Sequence, residues 1–272
     1  MDLLSLIPAA ALLLVAGLLG GLVAGLLGVG GGIVLVPVLE ALLGQIGVPP
    51  EWRMHVAVAT SMSTIIPTAI ASSRAHQMRG AIDWSMIRAW APGFLLGGLV
   101  GALLAARASG PLLSGLFGAT ALVIAIKMYL PFDHWRLRDK VPHGIGGKLI
   151  AGFIATVSAM LGIGGGMLGV PAMTLLGQPV HRAVGTASVF GLLIGVPATL
   201  GYLFARPGVP LPGATVGVVS LLGFALIAPC SILMAPVGAR IAHTLSRRAL
   251  SQAFAVFLLI VALRMFYRTI AP

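Results

Sequence analysis

The residues best placed to do chemistry are two glycine runs. GLLGVGGGIVLVP spans Gly25 to Pro37, and MLGIGGGMLGVP spans Met160 to Pro171. Gly30, Gly31 and Gly32 follow Gly28 in the first; Gly164, Gly165 and Gly166 follow Gly162 in the second. A proline, Pro37 or Pro171, stands five residues after each run. Each glycine in a helix interior costs about 1 kcal/mol relative to alanine, so an apolar helix unwinds readily at these points. A break leaves N–H groups unpaired at the start of the next helical segment, near Gly32 and Gly166. Those groups and the helix dipole favour an anion. Two such ends meeting at mid-membrane would hold an anion without any buried lysine or arginine. The plainer reading is that the glycines let helices pack closely.

Hydroxyls follow each run. Thr60 and Ser61, and in the second run Thr186 and Ser188, could donate to an anionic oxygen or bond back to their own helix carbonyls. Ser63 and Thr64 extend the polar face in the first half only. Glu40 is the one carboxylate inside an apolar stretch, which makes it a proton-coupling candidate; a helix-end glutamate near Gly44 is the alternative. His55 and His181 occupy matching positions and are the other proton-coupling candidates, since imidazole changes charge near neutral pH; capping a helix start is the competing role. Lys127 and Arg264, near helix ends, are expected to snorkel to headgroups. Arg74 and Arg79, beside Asp83, could attract an anion at a pore mouth or anchor topology, the second being the favoured reading.

The elements that must position these groups are membrane helices. Of 272 residues, 58% are hydrophobic and only 8% charged, with a mean hydropathy of +1.07, which excludes an ordinary soluble domain. Apolar stretches run over about 4–43, 55–73, 85–106, 111–131, 147–177, 183–205, 214–242 and 246–267. A span needs about 20 residues, so the expectation is an all-α polytopic membrane protein with about eight transmembrane helices. The start of the chain reads as a retained helix rather than a cleaved leader. The 17 Lys and Arg against six acids lie between the apolar stretches and form no aromatic-interleaved stripe, which suits anionic lipid rather than nucleic acid. A single cysteine, Cys230, rules out an intrachain disulfide.

The chain also repeats. Gly28 and Gly162 are 134 positions apart, as are Pro37 and Pro171; HVAVATS from His55 matches HRAVGTA from His181 at a spacing of 126. Pro92 with Pro229, Ser114 with Ser251 and Lys127 with Arg264 are each 137 apart. The reading is two homologous helical repeats, 1–131 and 147–272, joined by a polar linker at 132–146, with a broken first helix in each. The distribution of Lys and Arg leaves parallel and inverted halves equally open.

No HExxH, CxxC, GxSxG or P-loop is present, so no enzyme activity, metal or cofactor is expected. GLLGVGGGIVLVPVLEALLG, HVAVATS and AMLGIGGGMLGVPAMTLLGQPVHRAVGTAS resemble the TauE/SafE family, the sulfite and organosulfonate exporters. That resemblance covers nearly the whole chain. It implies a multi-pass permease of the cell inner membrane moving small sulfur-containing anions, with the motif on the glycines and prolines named above. Gly185 and Ala187 replace Ala59 and Ser61 of the first half, so a fully symmetric ligand shell is not implied. The expected mechanism is gradient-driven alternating access around the two breaks. An anion channel of the same fold and a non-transporting assembly subunit are the other readings. Expected partners are a small anionic substrate and membrane lipid, with a second copy of the chain as the candidate protein partner.

Overall fold

The computed structural model describes residues 3–28, 30–129, 142, 144–212, 214–242 and 247–270. Among these, ten helices follow in order: α1 (Leu3–Leu27), α2 (Gly32–Gln45), α3 (Pro50–Gln77), α4 (Trp84–Arg107), α5 (Gly110–Tyr129), α6 (Ile145–Leu161), α7 (Gly166–Leu175), α8 (Val180–Leu203), α9 (Leu221–Ile241) and α10 (Arg247–Ile270). Six of them are both long and apolar enough to cross a bilayer. At 1.5 Å per residue α2 is about 21 Å long and α7 about 15 Å, short of the roughly 30 Å hydrocarbon core. The protein is a polytopic helical membrane protein. Most of the expected linker lies outside the described residues, and α6 already begins at Ile145.

Both long N-terminal stretches of the halves divide at their glycines. α1 stops at Leu27, Gly28, Gly30 and Gly31 take φ of 65°, 81° and 72°, and α2 begins at Gly32. In the second half Gly162 (φ 69°) ends α6, and Gly165 (φ 66°) precedes α7. A side chain disfavours this left-handed backbone, which is why glycine stands here. The N–H of Ile163 reaching back to the Ser158 carbonyl at 3.0 Å closes α6 in a Schellman manner.

After its break α2 turns back. Gly44 lies by Arg53 and Gly32 by Ser61, so α2 runs antiparallel to α3. α1 and α9 run in the same direction: Gly17, Gly21 and Gly25 face Ile227, Ser231 and Ala235 in turn. α4 and α6 do likewise, with Gly93, Gly97 and Gly101 facing Lys148, Gly152 and Thr156. Glycines four apart form one stripe on a helix and let backbones approach closely. Ser231 donates to the Gly17 carbonyl at 2.9 Å, and Thr156 to the Gly97 carbonyl at 3.2 Å, across these seams. α3 and α8 cross antiparallel, with Ala69 beside Gly191 and Ile66 beside Gly195, and α5 runs antiparallel to α10. First-half and second-half helices are therefore interleaved.

Apolar side chains line the outside, Leu95, Leu96, Leu99 and Leu103 on α4 among them. The polar side chains are inside: Thr60, Ser61, Ser63, Thr64, Thr68, Ser72 and His76 of α3 are all buried. One departure from the sequence reading is at 214–220. There a short antiparallel ladder, β1 (Thr215–Val216) with β2 (Val219–Ser220), precedes α9. Gly217 at φ 59° makes its turn, and the Val218 N–H donates to the Tyr202 carbonyl at 3.2 Å.

Candidate functional site

The two breaks touch. A Cβ placed on Gly30 would stand 2.8 Å from the Gly164 Cα, and one on Gly32 would overlap the Gly162 carbonyl oxygen. Gly28 faces the Val184 carbonyl and Gly162 faces Val58, so each break also rests against the long central helix of the opposite half. The space beside this junction is a crevice lined by Gly28, Gly30, Ser72, Gly164, Ser188 and Gly191, among others. It is too narrow for a water molecule. The junction is thus closed, backbone against backbone.

The N–H groups at the second break are engaged locally: Gly165 donates to the Ile163 carbonyl at 2.8 Å, and Gly166 to that of Gly164 at 2.7 Å. An anion there would have to displace those short-range bonds. Gly31 and Gly165 occupy the position before the first helical residue of α2 and α7, both in left-handed geometry. Pro37 and Pro171 lie inside α2 and α7, so they do not mark the breaks themselves.

The hydroxyls have structural partners across the halves. Ser61 donates to the Gly162 carbonyl at 2.8 Å and ties α3 to the second break. The Thr60 oxygen accepts the backbone N–H of Ser220 at 2.9 Å, and the Thr186 oxygen accepts that of Asp83 at 3.0 Å. Ser220 and Asp83 are the N-caps of α9 and α4, so the same contact occurs twice with the halves exchanged. Ser188 donates to the Gly185 carbonyl at 2.6 Å, back within its own helix.

The proton-coupling candidates are away from the junction and unlike one another. Glu40 is buried and pairs with Arg264 at 3.1 Å; the same guanidinium donates to the Pro37 carbonyl at 3.2 Å. Arg264 therefore turns inward to α2 instead of snorkelling, because a buried carboxylate needs a counter-charge. A cavity of about 30 Å³ lies beside this pair, lined by Arg53 and Ser114 among others. That is room for one water. His55 is buried with Nδ1 2.9 Å from the Glu51 carbonyl and Nε2 2.9 Å from that of Ala108. Trp52 packs on it at 4.9 Å between centroids. His181, its sequence match, is exposed in the first turn of α8.

Asp83 does not gather Arg74 and Arg79. It pairs with Arg182 at 3.6 Å, accepts from Gln178 at 3.1 Å, and caps α4 through the Met86 N–H at 3.2 Å. Burial alone would raise its pKa; hydrogen bonds from Ser85, Met86 and Gln178 and the Arg182 charge outweigh that and hold it below the usual carboxylate value. Arg79 donates to the Ala75 carbonyl.

Ser72 is the site-adjacent residue that sequence reasoning missed, and the pairing of Arg264 with Glu40 is the contact it did not foresee. Ser72 continues the series Ser61, Thr64 or Ile65, Thr68 at helical spacing, and following that face past Thr64 would have reached it. Among the described residues no group of three His, Cys, Asp or Glu side chains is arranged to hold a metal.

The sulfite exporter TauE/SafE family profile matches residues 13–265. The chain is similar to a protein of Haemophilus influenzae named a probable membrane transporter protein, with 31% identity over 94% of this chain and 98% of the relative. A Methanocaldococcus jannaschii protein described in the same words is 25% identical over 82% of this chain and 80% of its own length. The Bacillus subtilis protein YunE, likewise so described, is 27% identical over 71% and 78%. No solved structure matches.

Proposed function

The chain belongs to the sulfite exporter TauE/SafE family of membrane transporters, and from that premise we propose that it is a gradient-driven carrier of small sulfur-containing anions such as sulfite or organosulfonates. The observation that carries this reading is the direct contact of Gly30 with Gly164 at the crossing of α3 and α8. A joint made of glycine backbone can separate with few side chains to unpack, and the N–H groups of the second break, bonded within their own turn, can exchange those bonds for an anion. Among the described residues no lysine or arginine borders the crevice. Anion recognition would rest on neutral donors, which release an anion more readily than a buried cation would.

The exchanged contacts of Thr60 and Thr186, and the antiparallel courses of α3 with α8 and α5 with α10, support halves of inverted topology. Alternating access then follows from α3 and α8 parting at the junction, with the helix pairs joined by the glycine seams moving as rigid units. The sealed junction supports a carrier that must rearrange in each cycle. The cell inner membrane is the proposed location, and export the proposed direction.

The test is counterflow of labelled sulfite and sulfoacetate in proteoliposomes. Saturable flux stimulated by unlabelled substrate on the opposite side is the expected result. Flux that rises linearly without saturation would identify a pore. Inactivity of the purified chain, with a protein that always copurifies, would identify an assembly subunit.

A further inference from the structure

The contacts of α3 and α8 recur at the 126-residue spacing seen in sequence: Val58 with Val184 against the breaks, and Thr60 with Thr186 on the helix caps. At that spacing Ser188 and Gly191 correspond to Met62 and Ile65. Met62 and Ile65 are fully buried, and the Ile65 side chain reaches within 3.3 Å of where a Cβ on Gly30 would stand. Where the first half has Met62 and Ile65 the second has a hydroxyl and a glycine, and the crevice is lined by that hydroxyl and that glycine, with Ile65 packed against Gly191 at its edge.

Ser72 borders that crevice. It is 2% exposed, and its hydroxyl has no hydrogen-bond partner. Its neighbours on the same helix behave differently: Ser63, Thr64 and Thr68 all donate to carbonyls three or four residues back. Buried polar groups are almost always paired, and mid-helix hydroxyls usually pair in this way. Ser72 is thus a buried donor without a protein acceptor beside the glycine joint.

We infer that the anion binds on one flank of the junction only, and that Ser72 donates its hydroxyl hydrogen to an oxygen of the sulfur-containing head group. This rests on the transport reading above. When α3 and α8 part, the ligand replaces the contact between the breaks. Ser72 then supplies the side-chain donor, and exposed backbone N–H groups of the glycines supply the rest. The asymmetry explains why the repeat departs from itself at Met62 and Ile65: one half contributes bulk and the other contributes room. Ser158 is the matched control. It stands 134 positions after Ala24, a crevice residue, and its own hydroxyl is also buried and unpartnered.

The experiment is sulfite counterflow in proteoliposomes for the wild type, Ser72→Ala and Ser158→Ala, with thermal unfolding of each in detergent. In Ser72→Ala the half-saturating sulfite concentration should rise about tenfold, the size of one hydrogen bond to a charged group. Its unfolding temperature should stay level or increase, because no native hydrogen bond is removed. Ser158→Ala should transport as the wild type does. Wild-type half-saturation in Ser72→Ala would overturn the assignment, as would a lowered unfolding temperature or a tenfold rise in Ser158→Ala instead. A wild type that moves no sulfite at all would overturn the transport reading first, and this inference with it.

Discussion

Glycine serves two opposite purposes in the seams and at the junction. Along α1 against α9, and α4 against α6, glycines four apart keep helical backbone and meet carbonyl oxygens of the partner helix. At the junction, Gly28, Gly30, Gly31, Gly162 and Gly165 leave helical geometry altogether: Gly30 meets Gly164, Gly28 and Gly31 meet the Val184 and Gly20 carbonyls, and Gly162 and Gly165 meet Val58 and the end of Ile194. The first arrangement locks helices of different halves together over several turns. The second touches at one place, beside a crevice. Spacing and φ, rather than residue type, separate the rigid part of the molecule from the part that can open.

The largest effect is expected in a seam. In Gly25→Leu the new Cβ overlaps the Ala235 carbonyl oxygen, and backbone cannot step aside as a side chain can. Overpacking against side chains costs about 1–3 kcal/mol; here the loss should exceed that and remove the folded, monodisperse species from size-exclusion profiles. Gly165→Leu should be milder for folding and total for function. Its Cβ meets the terminal atom of Ile194, a flexible side chain, and the left-handed backbone (φ 66°) adds about 1–3 kcal/mol of strain. Folded protein should be recovered but without sulfite flux. Equal loss of folding in both variants would dissolve the distinction between seam and junction. Gly31→Leu belongs with the seam in this respect, since its Cβ overlaps the Gly20 carbonyl oxygen.

Thr60→Val and Thr186→Val sharpen the comparison at a smaller scale. Each leaves the N–H of a helix N-cap without its acceptor, costing about 1–3 kcal/mol. Matched contacts predict losses of similar size in chemical denaturation; a large inequality would show that the two halves bear load differently. The smallest effect is pH dependence at Asp83. Its folded pKa lies below the unfolded value of about 3.9. The stability it contributes is complete above that value and is lost as pH falls through the folded one. Between pH 6 and 3 the wild type should lose more thermal stability than Asp83→Asn.

Much of this organisation was legible in the sequence because it depends on backbone. Triple glycine in an apolar stretch predicts a break wherever it folds, and both breaks lie at the expected residues. Matching positions carry matching contacts at Thr60 and Thr186, whose partners lie 160 and 103 residues away. Other matched pairs diverge. His55 and His181 match in sequence, yet one is clasped between two carbonyls and the other faces outward. Arg264 matches Lys127, yet it reaches Glu40, 224 residues away, which no local pattern encodes. The seam glycines were visible as letters at a spacing of four, but their partners were not. The ladder before α9 was hidden in a stretch apolar enough to read as helix.

The claim on which the account turns is that the anion lodges where the two breaks meet. An anomalous difference map of crystals grown with 2-bromoethanesulfonate, at the concentration that saturates its competition with sulfite flux, tests it most directly. The account predicts a bromine peak within about one sulfonate length of Gly30, Gly164 and Ser72. A peak beside Glu40 and Arg53 instead, with the glycine contact still closed, would contradict it.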